Sequence, residues 1–251
     1  MVADSLVVAA AALGSGATAV PLQASDWVFV YENGWYLLGG TILTIVLSIV
    51  CVLVGFLVGF PGGAVAVYGG TVSRRLVENV GVVLRGTPIV VIFFFTYFVF
   101  GTPGIDAGVF EISPEFVAAV FGLGLRSAAY QAEMFRGALQ SVDDGQLEAA
   151  RSVGMGKWES VGYVAVPQAL RRSVPSFQNE ATIVLKDTSV VFAIGLSELL
   201  TRSYDLFTRE TTATLEVILT ISAIYFVLTF VTNRGLDYVE SVYRIPGGES
   251  A

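Results

Sequence analysis

Histidine is missing from all 251 residues, and cysteine occurs once, at Cys51 inside an apolar run. A Cys/His zinc site, a disulfide framework and every histidine-based catalytic dyad or triad are thereby excluded. Charge is scarce too: 14% of residues are Asp, Glu, Lys or Arg, where soluble domains carry roughly 25%. Basic residues are outnumbered 14 to 21, giving a net charge of −7, and the only lysines are Lys157 and Lys186. Without a clustered basic footprint, nucleic acid is not expected as a partner. The phosphate-cradling run GxxxxGK[ST] is also absent, because Gly156-Lys157 has neither the upstream glycine nor a following Ser or Thr. Any chemistry must come from carboxylates, Arg, Lys, hydroxyls or partner proteins. No cofactor or metal is expected.

What remains is apolar. Hydrophobic residues make up 54% of the chain and the mean hydropathy is +0.72, which excludes an ordinary soluble globule. About 20 apolar residues at 1.5 Å per residue cross a hydrocarbon core of roughly 30 Å. The chain carries no charge from Asn33 to Ser73, and Leu37–Phe60 reads as a spanning helix with Gly55 and Gly59 spaced for close helix approach. Pro61-Gly62-Gly63 is expected to break it, and Arg74, Arg75 and Arg85 to mark a polar elbow. A second span is expected over about Ile89–Phe100, a third over about Pro114–Phe135, a fourth over about Ser173–Ile194 and a fifth over about Ala213–Val231. The aromatic run Phe93–Phe98 reads as lipid contact and helix packing. The fold class is therefore all-α integral membrane, with about five transmembrane helices.

Cytoplasmic loops hold the excess of Lys and Arg. The loops containing Arg74, Arg75 and Arg85, then Arg136 to Arg172, then Arg234 and Arg244, far outweigh the opposite side, which holds Arg202 and Arg209. The chain then divides into an extracytoplasmic tail over 1–34, a transmembrane domain over 35–237 with a cytoplasmic loop at 137–172, and a cytoplasmic tail over 238–251. Localisation is the cell membrane, multi-pass, with the N-terminus outside and the C-terminus in the cytoplasm. Residues 1–25 hold a short apolar run without a positive flank, so they read as a tail or interfacial segment rather than a cleaved signal.

The long cytoplasmic loop contains Asp143-Asp144-Gly145-Gln146-Leu147-Glu148-Ala149-Ala150-Arg151-Ser152-Val153-Gly154. Asp143 suits a helix N-cap, Gln146 can reach back as in a capping box, and Gly154 suits the left-handed position that ends the helix. Ala149 and Ala150 leave little bulk, so another protein surface can approach, with Glu148 and Arg151 at its edge. A second amphipathic piece spans Lys157 to Val166, and Pro167 is placed to start the next helix.

The spacing Glu148-Ala149-Ala150, three residues, Gly154, nine residues, Val164, one residue, Val166-Pro167 resembles the EAA loop of ATP-binding cassette (ABC) importer permeases. Four further blocks are similar to the polar amino acid permeases: Arg85-Gly86-Thr87-Pro88, Ala129 to Gly137, Val166 to Arg172, and Leu185-Lys186-Asp187-Thr188-Ser189. The resemblance covers roughly residues 35 to 240 and implies the type I ABC importer permease fold. It implies a permease subunit of an importer of polar amino acids, itself not an enzyme. The implied partners are ABC ATPase subunits, an extracytoplasmic substrate-binding protein, a second permease that is identical or related, the amino acid substrate and the lipid bilayer. It further implies that the EAA loop is a coupling helix seated in the ATPase, with Glu148, Ala149, Ala150 and Gly154 as its coupling residues.

A zwitterion crossing the bilayer needs polar partners at mid-depth, so Gln131, Glu133, Lys186, Asp187, Thr188 and Ser189 are candidates for lining the path. The residues alone leave open whether Glu133, Lys186 and Asp187 meet substrate or only lock helices together. Arg126, Arg136 and Glu180 lie nearer span ends, where long side chains snorkel. An alternative is an ion-coupled secondary amino acid transporter, which predicts inverted repeats and broken helices; the sequence shows neither.

Overall fold

The computed structural model describes residues 24–106 and 111–243. A helix α1 (Ala24–Glu32) leads through Asn33 into α2 (Gly34–Tyr68), so part of the expected tail is helical, while its first 23 residues lie outside the described ones. Helix α2 has 35 uncharged residues, roughly 52 Å of helix at 1.5 Å per residue, and is more than long enough to cross a bilayer.

The break expected at Pro61 does not occur, because α2 runs straight through it. At membrane depth every backbone group must be satisfied within the segment, so ending the helix costs more than the single bond proline removes. The turns around Pro61 are also clamped from outside. A Cβ on Gly59 would lie 2.6 Å from the Ala128 carbonyl oxygen, and one on Gly63 would lie 2.8 Å from that of Ala132. Along the stripe Gly55, Gly59 and Gly63, backbone meets backbone at Gly59 and Gly63, and Gly55 admits the Ser127 and Gln131 side chains. This extends the small-residue spacing read from the sequence by one turn.

The expected polar elbow is instead an amphipathic helix, α3 (Thr71–Gly86), followed by α4 (Ile89–Phe94), which continues as a π-turn over Phe95–Val99. The pair is bent by 106°. Thr87 is extended at φ −91°, ψ 131°, as the residue before a proline must be. This broken helix was not visible in the sequence. At roughly 16 Å, Ile89–Val99 is too short to span alone, so the second expected span is half of a bent pair.

A two-residue ribbon, β1 (Ile105–Asp106) against β2 (Glu111–Ile112), precedes α5 (Pro114–Gln140). Ser113 caps α5 by accepting the Phe116 N–H at 3.3 Å, with Pro114 in the first turn, where its missing N–H costs nothing. After α6 (Asp144–Ser152) comes α7 (Lys157–Ser160). A π-turn at Val161–Ala165 joins it to α8 (Val166–Asp187), so the chain is helical from Lys157 to Asp187. Pro167 lies in the first turn of α8, as expected, although the π-turn runs into that helix without a break. A 3₁₀ segment (Thr188–Ile194) closes at Gly195, φ +83°, and α9 (Leu199–Arg209) and α10 (Thr214–Tyr243) complete the chain.

The central core joins α2, α4, α5 and α8 through Leu47, Cys51, Phe93, Ala118, Leu123 and Val184. Outside it, Leu57 and Phe226 are each 70% exposed, an apolar surface that suits lipid and not water. Among the described residues, α2 and α10 are long and apolar enough to cross a membrane alone, and the α3–α4 pair counts as a third if it is one span. The remaining long helices, α5 and α8, carry the charges.

Candidate functional site

Two groups of residues emerge, one around α6 and one where the end of α8 meets the middle of α5. In the first, Asp143 caps α6 through the Gly145 N–H at 2.7 Å. Gln146 does not reciprocate, so the expected capping box is only half made; the reciprocal half occurs one helix later, where Glu159 accepts the Gly156 N–H at 2.8 Å. Gly154 takes the left-handed conformation at φ +97°. Its N–H bonds to the Arg151 carbonyl at 3.0 Å and that of Met155 to the Ala150 carbonyl at 3.2 Å, a complete Schellman closure.

Leu147 and Ala150 face inward, and Leu147 joins the cluster of Leu139, Val142, Ala165 and Ala169. Glu148, Ala149 and Gly154 face outward. Of the two adjacent alanines, only Ala149 is available to a partner. The helix is fixed to the rest of the molecule at both sides. Lys157 Nζ donates to the Tyr68 carbonyl at the end of α2 at 3.3 Å, and Arg172 Nη1 donates to Ser141 Oγ at 2.9 Å.

At membrane depth, Asp187 pairs with Arg126 at 2.7 Å, joining the end of α8 to the middle of α5. The Arg126 guanidinium also lies 5.1 Å from the centre of the Tyr130 ring. Glu180, 5% exposed, lies near Arg126, Ser127 and Asp187. Neither Arg126 nor Glu180 snorkels: both are built into the interior, because paired charge is cheaper at that depth than a lone one. Gln131 is fully buried and donates to Ser127 Oγ at 3.1 Å and to the Val52 carbonyl at 3.2 Å. It ties α5 to α2 and leaves its own carbonyl oxygen unpaired.

The other sequence candidates divide. Glu133 is not with Asp187: it binds Arg136 and lies 3.8 Å from Arg85, whose Nη1 donates to the Ala129 carbonyl at 2.7 Å. An apolar cavity of about 280 Å³ under α3 touches Glu133 but none of residues 186–189. Lys186 is exposed, Thr188 is fully buried and donates to the Leu185 carbonyl at 2.7 Å, and Ser189 donates to the Lys186 carbonyl at 2.8 Å. The partner of Asp187 that sequence spacing could not supply is Arg126. Its only signal was a charge inside an apolar segment.

Residues 52–245 match the family described as "Binding-protein-dependent transport system inner membrane component". The chain is 33% identical over 220 residues to the glutamine transport system permease protein GlnP of Escherichia coli (strain K12), covering 88% of this chain and 98% of that one. It is 31% identical over 225 residues to the probable amino-acid permease protein YxeN of Bacillus subtilis (strain 168), covering 90% and 99%. Among solved structures, an amino acid ABC transporter matches with a TM-score of 0.74 and 29% identity, over 88% of this chain and 99% of that one. The MetNI methionine ABC transporter in an inward-facing conformation shares the fold, with a TM-score of 0.69 at 20% identity.

Proposed function

Because the chain belongs to the family of binding-protein-dependent transport system inner membrane components, we propose that it is the permease subunit of an ATP-driven amino acid importer, docked to its ATPase subunits through the outward face of α6. The observation that carries this reading is the short, doubly capped helix α6, which presents Glu148, Ala149 and Gly154 on a segment anchored to α2 and α8. ATP binding draws the ATPases together and moves the docked helices. The permease equilibrium then shifts only as far as docking differs between its states. Moving such an equilibrium from 1:99 to 99:1 needs about 5.5 kcal/mol.

The continuous helix from Lys157 to Asp187 supports a direct route for that shift, since one end lies beside the docking face and the other pairs with Arg126. Lys186, Asp187 and Ser189 line the solute path, with the buried Thr188 behind them. Lys186 meets the carboxylate of the zwitterion, and Asp187 exchanges Arg126 for the ammonium group. Gln131 and Glu133 hold helices in place. A second permease, identical or related, completes the path, and an extracytoplasmic binding protein delivers the amino acid. The N-terminus lies outside and the C-terminus in the cytoplasm.

The test is uptake of the twenty amino acids, each with its binding protein, into proteoliposomes holding the assembled complex, with and without ATP inside. ATP-dependent uptake that is lost in Glu148→Arg, with the permease still folded, is the expected result. Uptake that survives without ATP but collapses with an ion gradient would overturn the reading in favour of secondary transport.

A further inference from the structure

The cavity of about 280 Å³ under α3 owes its volume to small residues: Gly62 and Ala66 of α2, Gly81 of α3, and Ala128, Ala129 and Ala132 of α5 line it. Val58, Leu76, Val80 and Leu125 line it as well and are exposed, so it opens on the apolar outside of the helices. A water inside an apolar space finds too few polar partners to stay. Left empty, the space forfeits the contacts its lining would otherwise make.

Helix α3 roofs this space by crossing both α2 and α5. A Cβ on Gly62 would lie 3.8 Å from Val77 Cγ1, and Arg85 Nη1 donates to the Ala129 carbonyl at 2.7 Å. The 106° bend turns α3 across the direction that α4 takes into the core. Away from the cavity α3 exposes Val72, Leu76, Val80 and Val83, which fall on one helical face. An apolar stripe on an otherwise charged helix, set across a span, is the pattern of a helix lying in the membrane interface.

Charge gathers around the same cavity. Glu133 binds Arg136 and lies 3.8 Å from Arg85, so one carboxylate serves two guanidiniums. Arg74 is taken by Glu78 at 2.9 Å. Across α3 and the end of α5, Arg74, Arg75, Arg85 and Arg136 outnumber Glu78 and Glu133 by two, in a chain whose net charge is −7. The occupant must therefore be apolar along its length and negative at one end, and must arrive from the lipid side.

We propose that this cavity holds one acyl chain of an anionic phospholipid, with the lipid phosphate between Arg85 and Arg136. The bound chain fills the space that the small residues leave and fixes α3 over α2 and α5. This site is separate from residues 186–189, and the inference depends neither on the solute carried nor on the docking of α6.

The experiment places the full complex in phosphatidylcholine vesicles doped with a phosphatidylglycerol that carries a photoreactive diazirine in one acyl chain, and maps the label by mass spectrometry. The label falls on α3 and on residues 125–136, about tenfold above that from a phosphatidylcholine with the same chain, the weight of one hydrogen bond to a charged group. Ala129→Leu fills the cavity and lowers the label to the level found around the exposed Leu53 of α2. Arg85→Gln with Arg136→Gln leaves the cavity open and makes the two probes label alike; this variant carries the test if Ala129→Leu fails to assemble. Equal labelling by the two probes in the wild type overturns the proposal, as does label undiminished in Ala129→Leu, which would show ordinary lipid contact only. Absence of label from α3 and 125–136 overturns it too, and cross-linking from Leu76→Cys to the second permease would then name that subunit as the occupant.

Discussion

Helix α5 has two working faces, and they are built in opposite ways. Toward α2 it offers Ala128 and Ala132, and α2 answers with Gly59 and Gly63, so that backbones touch there, while Gly55 closes on the Ser127 and Gln131 side chains. Toward α8 it offers Arg126 and Ser127, and α8 answers with Asp187 and Glu180. The first face has a single arrangement, because close packing tolerates neither a gap nor an added methyl. The second is held by the Arg126–Asp187 pair, which under the proposed function a charged solute replaces. A transporter needs both, a rigid pair of helices and a polar face able to exchange partners.

The contrast breaks most sharply at the rigid face. Gly59→Leu sets a branched side chain against the Ala128 carbonyl and should abolish accumulation of folded permease, since overpacking costs about 1–3 kcal/mol even where neighbours can adjust and here the neighbour is backbone. Detergent-solubilised yield and thermal unfolding report it, and a stable Gly59→Leu complex would show that the two backbones are not in contact.

At the polar face, Arg126→Met leaves Asp187 without its partner and should destabilise by about 2–3 kcal/mol, below the value for fully buried pairs because both groups retain some exposure. Arg126→Met with Asp187→Leu should recover most of that stability yet stay inactive in uptake. A double variant that transports normally would show the pair to be structural only.

A smaller effect separates the neighbours Ala149 and Ala150. Ala150→Leu overpacks a buried position and should destabilise the fold by about 1–3 kcal/mol, read as a lower unfolding temperature. Ala149→Leu should leave it unchanged and weaken co-purification of the ATPase instead. Smallest of all, Arg74→Ala removes an exposed pair with Glu78 at 2.9 Å and should shift stability by less than about 0.5 kcal/mol in thermal unfolding.

These cases also show what the sequence could and could not reveal. The cap at Asp143 and the turn at Gly154 were legible because each depends on residues within one turn of itself. Pro61 and Pro88 look alike in sequence, yet α2 runs through the first and the chain bends by 106° near the second. The difference lies in α5, which clamps the glycines beside Pro61. Likewise, Ala149 and Ala150 are indistinguishable until α6 is laid on Leu139 and Ala165. Asp187 was singled out by its depth, but its partner lies 61 residues away on another helix, a distance no local pattern spans. Nothing in the sequence set Glu198 apart, because Tyr225 and Thr44 reach it only in the folded chain.

The central claim is that the outward face of α6 meets the ATPase, and single cysteines test it most directly. With Cys51 replaced by Ala, Ala149→Cys and Ala150→Cys are introduced separately into the assembled complex and exposed to a short thiol-to-amine cross-linker. The account predicts that position 149 is joined to the ATPase subunit and that position 150 is not. Cross-linking from 150 with none from 149, or from neither in a complex that still hydrolyses ATP, would contradict it.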